Sequence, residues 1–179
     1  MRPLTTSASA ATEPSFRVAR ADELAAILEL EDEAGRMFAE AGLPPDLEGL
    51  PRAEVLEAIE AGTLWVIPDA EERLRAFALC QLKPDALHLR ELDVHPDHMH
   101  QGLGRRLVDY ACERAAERGL PRVTLTTFAE VPWNAPLYLR YGFEVLPPDR
   151  LPPWLAELRR HEDAGVLGRW PRIAMARAA

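Results

Sequence analysis

The spacing of apolar residues changes period twice along this chain, and each change marks a change of element. After a short strand-like stretch at residues 16–19, Leu24, Ile27, Leu28, Leu30, Met37 and Phe38 recur at helical intervals behind Asp22, a good N-cap. The Gly42-Leu43-Pro44-Pro45 breaker ends that helix, and a second is predicted over Arg52–Glu60 with Pro51 near its first position. The period then falls to two. Residues 63–67, 74–82 and 86–94 read as strands, and the turns Pro68-Asp69 and Lys83-Pro84-Asp85 join them as an antiparallel meander. Helical spacing returns over residues 101–118, which Gly119 and Pro121 stop; a strand at 122–128, a short helix at 134–141 and a strand at 143–146 follow.

Strands that alternate with helices after a meander predict an α/β fold, a single mixed β-sheet flanked by helices. Residues 147–179 form a C-terminal extension. Prolines 147, 148, 152 and 153 break it, a helix is expected over about 154–164 and a last strand over 172–175. It reads equally as a lid or acceptor wall and as a packed appendage. Residues 1–14 hold alanines and hydroxyls without the apolar stretch of a secretory signal, and they read as a disordered leader before a domain at 15–179.

One strand breaks its own alternation. Leu87 and Leu89 share one parity, whereas Leu92 and Val94 share the other, so the pattern slips by one residue around Arg90 and Glu91. A β-bulge has this effect, and so does a strand buried on both faces towards one end.

The slipped strand leads into HPDHMHQGLGRR, a glycine-bearing turn before a helix. Free N–H groups and the dipole at a helix start favour an anion, which predicts a phosphate-bearing ligand here. Two common phosphate loops are excluded: there is no G-x-x-x-x-G-K-[ST], and Gly102 and Gly104 lack the third glycine of G-x-G-x-x-G.

The remaining pattern, Val94-His95-Pro96 followed by Gly102-Leu103-Gly104, resembles the acetyl-CoA-binding motif of the GNAT N-acetyltransferases. Met99 stands where that family usually has Gln or Arg. A second segment, Leu137-Tyr138-Leu139-Arg140-Tyr141-Gly142-Phe143, resembles the family's L-Y-x-x-x-G-F. The resemblance covers residues 16–143 well and the tail poorly. It implies an acetyl-CoA-dependent N-acetyltransferase with acetyl-CoA as co-substrate, in which Leu92, Asp93 and Val94 offer main-chain N–H groups to the pantetheine arm and thioester. It also implies that His100, Gln101, Gly102, Leu103, Gly104 and Arg105 cradle the pyrophosphate, and that Tyr138 is the general acid for the departing thiolate. Arg106 is a further source of charge, and Tyr141 is read as packing.

Attack by an amine needs a base, since an alkylamine with a pKa near ~10.4 is mostly protonated at neutral pH. Glu91, beside the slip, is the first choice and His88 the second; Asp93 is read as facing solvent. The family's usual asparagine position falls on Val131. Asn134 lies closer to Tyr138, where it is read as a helix cap that also reaches the cofactor. Phe128, Trp133, Glu31, Glu33 and His161 are candidate acceptor-site residues.

Composition narrows the partners. A net charge of −8 disfavours nucleic acid, and no apolar run is long enough to span a bilayer. His95, His98 and His100 lack metal-site spacing, so no metal is expected. Cys80 and Cys112 are read as buried free thiols, and with neither cysteine in a motif a covalent acyl-enzyme is disfavoured. The expected reaction is direct transfer in a ternary complex, in the cytoplasm, to a small-molecule primary amine. A protein N-terminal or lysine acetyltransferase and a non-catalytic acyl-CoA-binding module remain the alternatives, and a homodimer is among the assemblies allowed.

Overall fold

A computed structural model describes residues 15–40, 42 and 49–179. The expected leader and most of the Gly42–Pro45 breaker lie outside the described residues. The elements run β1 (Arg17–Val18), α1 (Leu24–Glu40), α2 (Arg52–Glu60), β2 (Leu64–Pro68), β3 (Leu74–Lys83), β4 (Ala86–Val94), α3 (Leu103–Glu117), β5 (Arg122–Phe128), α4 (Ala135–Arg140), β6 (Glu144–Leu146), α5 (Pro153–Ala164) and β7 (Arg172–Ala178). Seven strands form one sheet in the order β1-β2-β3-β4-β5-β7-β6. Every pairing is antiparallel except β4 with β5.

Alternation along the central strands divides the core into two layers. Trp65, Ile67, Ala76, Ala78, Cys80, Leu87 and Leu89 pack with the α3 stripe of Leu103, Leu107, Val108, Ala111, Cys112 and Ala115. The small residues Ala76, Ala78 and Cys80 lie in this layer, where α3 packs on β3. On the opposite face Leu64, Val66, Phe77 and Leu79 meet Leu24, Ile27 and Leu30 of α1 and Val55 and Ala58 of α2. Burying each larger side chain is worth about 1.5–3 kcal/mol, so this two-sided pattern fixes the strand register.

Asp22 is not the cap of α1. It lies in a 3-10 turn, Ala21–Glu23, that runs straight into the helix. Glu23 accepts the N–H of Arg20 at 2.8 Å and a two-pronged contact from Arg17 at 2.7 and 2.8 Å. A carboxylate one residue later thus anchors the start of the first helix to β1.

The C-terminal extension is part of the sheet. β7 runs between β5 and β6, pairing with β5 from Arg122↔Ala178 to Phe128↔Arg172. It is longer than the expected 172–175, because its alternation is blurred by Arg177 and by alanines that give no strand signal. Among the described residues no helix is long and apolar enough to cross a membrane.

Candidate active site

β4 and β5 touch only at their beginnings, where Leu87 pairs with Val123 and His88 with Thr124. Beyond His88 they have no ladder, which leaves a wedge towards the carboxyl ends of the sheet's one parallel pair. The cause is visible on β4. Cys80 faces Leu89 and Leu79 faces Glu91, so Arg90 has no partner on β3 and is the extra residue of a bulge. Leu87, His88 and Leu89 are all buried as well, so two-sided burial accompanies the bulge.

The bulge also decides which main-chain groups face the wedge. His95 N–H donates to the Arg75 carbonyl on β3 at 2.8 Å. Counting back by twos, Asp93 and Glu91 turn their N–H groups to β3, which leaves those of Leu92 and Val94 on the open edge.

At the mouth of the wedge α3 begins in a tight turn. His100 and Gly102 both have left-handed backbones, with φ of 61° and 78°. Among the described residues no backbone acceptor outside regular elements takes the N–H groups of His100 to Arg105, and the first intrahelical bond is Arg106 to Gly102 at 3.1 Å. A Cβ on Gly104 would come within 3.5 Å of the Tyr141 hydroxyl and 3.6 Å of Val94. Side chains beyond a methyl would therefore fill the space between the helix start and β4. Arg105 and Arg106 are exposed beside this turn, Arg105 with its Nε 3.8 Å from Asp109. These open donors, in a turn kept narrow by glycine, fit a pyrophosphate with its pantetheine arm.

The side chains of the slipped strand divide between the faces. Leu92 and Val94 pack against the α3 layer. Glu91 and Asp93 stand opposite Leu79 and Phe77, on the α1 face. Asp93 does not face solvent: it is 8% exposed, and its Oδ2 has no hydrogen-bond partner among the described residues. Burial, with the charges of Glu91 and Glu31 adding, pushes its carboxyl well above the ordinary range. Burial likewise pushes Glu91 up to about 7, Glu31 adding to the effect and Arg90 opposing it. Such a carboxyl exchanges a proton near neutrality.

His88 is not a surface residue. It is 1% exposed, with Nδ1 3.0 Å from Thr124 Oγ1 and its ring edge-on to Trp154. Burial, the largest cause, holds its pKa down to about 3, so the ring is neutral at pH 7 and weakly basic. Tyr138 is mostly buried in the α3 layer beside Tyr141 and Phe143. Burial, then the charges of Glu91 and Asp93, push its phenol far above its ordinary value, so it stays protonated.

Asn134 occupies the N-cap position of α4 without a side-chain cap. Its carbonyl accepts from Leu137 and Tyr138 at 2.8 and 3.0 Å, while its Oδ1 accepts from the Thr127 hydroxyl at 2.9 Å. Nδ2 is left buried without a partner, a donor held in reserve. Sequence reasoning missed Thr127, whose parity beside Phe128 was its only signal.

The other candidates separate. Burial raises the pKa of Glu31. Glu33 instead meets His95 Nε2 at 2.9 Å, and His161 is exposed on α5. Phe128 and Trp133 join Phe38, Val131, Leu167 and Trp170 in an aromatic cluster beyond the end of β5. Among the described residues no three His, Cys, Asp or Glu side chains are placed to hold a metal ion.

Comparison with known proteins places this chain in a family. Residues 24–143 match the model of the acetyltransferase (GNAT) family. The [Ribosomal protein bS18]-alanine N-acetyltransferase of Salmonella typhimurium is 30% identical over 98 residues, 55% of this chain and 65% of that protein. The matched stretch thus spans a little under two thirds of that relative. The Escherichia coli ribosomal-protein-S18-alanine N-acetyltransferase superposes with a TM-score of 0.65 at 20% identity, covering 92% of both chains. N-acetylglutamate synthase from Neisseria gonorrhoeae gives a TM-score of 0.70 at 19% identity, over 92% of this chain and 34% of that one. With a family match across most of its length and the fold shared by these structures, the chain belongs to the GNAT family of acetyltransferases.

Proposed function

We propose that this protein is an acetyl-CoA-dependent N-acetyltransferase that acetylates the primary amine of a small molecule by direct attack in a ternary complex. The observation that carries this reading is the wedge itself, with two unpaired N–H groups of β4 along one side and the free N–H groups of α3 at its mouth. Acetyl-CoA supplies an activated thioester. The N–H groups of Leu92 and Val94 hold the pantetheine arm and polarise the thioester carbonyl; losing one such aligned donor costs ~2.7–4 kcal/mol in related chemistry. The helix start from His100 to Arg105 holds the pyrophosphate, and Asn134 Nδ2 is oriented by Thr127 to donate to the same ligand.

An incoming ammonium gives its proton to Glu91, whose pKa near 7 suits the exchange better than a neutral His88 already engaged by Thr124. The freed amine attacks the thioester carbonyl, the C–S bond breaks and the thiolate takes a proton from Tyr138; the second proton, shed by the nitrogen as the amide forms, returns the tyrosinate to its phenol.

A second reading, acetylation of a protein N-terminal amine, is favoured by the S18-alanine acetyltransferase at 30% identity. Release of CoA from acetyl-CoA, measured across small amines and an alanine-starting peptide, decides between them. Turnover of small amines supports the proposal, and turnover of the peptide alone replaces it with the second reading. Tyr138→Phe and Glu91→Gln should each lower kcat by about 10²-fold or more while acetyl-CoA still raises Tm. Binding without turnover of any acceptor would instead make the chain an acyl-CoA-binding module.

A further inference from the structure

The face of β4 opposite α3 carries more carboxyl groups than proton transfer needs. Glu91 and Asp93 share that face, and Glu31 comes down on it from α1, close enough for its charge to act on both. Glu54 of α2 joins from the side, where it accepts from Gln81 at 2.6 Å and meets Arg90 at 3.2 Å. Arg90 is the guanidinium within this group, and it is divided between Glu54 and Glu91. Arg172 is committed to Glu162 at 3.2 Å and to the Phe128 ring. Glu31 and Asp93 are therefore left without an ion-pair partner among the described residues.

Clustered carboxylates alone make no site. Here a second observation points to a ligand: Asp93 is more than nine-tenths buried, and its Oδ2, on the side of the strand shared with Glu91, has no donor. A buried acceptor without a donor is costly unless something supplies one. A metal ion does not suit the arrangement, because among the described residues no three such side chains are placed to hold one. Carboxylates spread too widely for a metal are bridged by an extended organic cation, whose separated N–H groups reach different acceptors.

Resting on the acetyltransferase reading above, we infer that the acceptor is a diamine or longer polyamine, one amine meeting Glu91 for transfer while a second, retained ammonium docks against Asp93 and Glu31. The reacting amine must lose its charge before attack, so it cannot neutralise this surface through the reaction. A second cation on the same molecule does. Gly49 leaves room for Glu31 here, since a Cβ at that position would lie 3.0 Å from its Oε2 and press the carboxylate aside.

The test compares diaminobutane with butylamine, which differ only in the second amine, by CoA release and by calorimetric binding to the CoA-saturated protein. For the wild type we expect kcat/KM and affinity at least about tenfold higher for the diamine. In Asp93→Asn and Glu31→Gln that ratio should fall towards unity, chiefly through a higher KM for the diamine. Equal use of the two amines, or preference for a neutral alanine-starting peptide, would overturn the inference and leave the acetyltransferase reading standing. Preferential binding of the diamine without CoA release would uphold the docking site and overturn the transfer reaction. Loss of butylamine turnover in both variants to the same degree as diamine turnover would assign the carboxylates to catalysis instead.

Discussion

Glu91 and His88 lie three residues apart on one face of β4, and burial acts on them in opposite directions. It disfavours charge in both, which lifts the acid to about 7 and drops the imidazole to about 3. The two candidate bases thus differ in their expected pH dependence. With Glu91 as base, kcat/KM rises with pH through about 7 and levels off above it, and Glu91→Gln removes that limb together with most of the rate. Base action by His88 would put the limb near pH 3 instead, a difference that initial rates from pH 5 to 9 resolve. Stability gives an independent reading of the same carboxyl. A raised folded pKa means that its contribution is fully present below the unfolded carboxylate range and is lost as pH rises through about 7. Glu91→Gln should therefore melt progressively higher relative to the wild type as pH is raised from 5 to 8.

At the scale of elements, the bulge at Arg90 separates what the sequence discloses from what it conceals. The slipped parity of Leu87, Leu89, Leu92 and Val94 was legible because burial writes itself into alternation, and the register places the extra residue at Arg90. The glycine turn and the segment around Tyr138 were legible for a similar reason, since left-handed backbones at Gly102 and Gly142 demand that residue. What stayed hidden depends on distant partners. Nothing near Asp93 in sequence says that α1 will cover it. Nor does anything near Asn134 say that Thr127 will draw its side chain away from the cap. β7 reads too short in the sequence for lack of apolar residues, although the sheet holds it between β5 and β6. Deleting Arg90 tests the bulge directly. The deletion restores clean alternation, so Leu92 and Val94 keep the α3 face and the sheet should still melt cooperatively. The kink that opens the wedge would be lost. We expect turnover to fall by about 10²-fold or more, the scale of a lost oxyanion donor, with far-ultraviolet circular dichroism unchanged. Near-normal turnover would show that the splay of β4 from β5 does not need the extra residue.

Across the whole molecule, one carboxylate ties the C-terminal extension to β5, one side of the wedge. Glu162 of α5 meets Arg159 at 2.6 Å, Arg172 of β7 at 3.2 Å and the Thr126 hydroxyl of β5 at 2.7 Å. All three charged side chains are only 11–12% exposed, so solvent screens them little. Burial pushes the Glu162 carboxyl up, yet Arg172, Thr126 and Arg159 together outweigh it and hold the group below its ordinary value. Its stabilisation is therefore present above the unfolded carboxylate range and lost as acid carries the pH down through the folded pKa. Glu162→Gln keeps the shape but leaves Arg172, over the Phe128 ring, without its carboxylate, while Arg159 keeps Asp163. Removing one member of a buried pair in this way typically costs about 3–5 kcal/mol. Urea unfolding at pH 7 should show a lower midpoint with an unchanged slope, and the deficit should narrow towards pH 3 as the wild-type carboxylate is protonated. If the extension were an appendage, the variant would instead unfold in two steps, with the sheet holding at its original midpoint. A single displaced transition is expected, because Leu155 and Met175 are fully buried and β7 lies between β5 and β6.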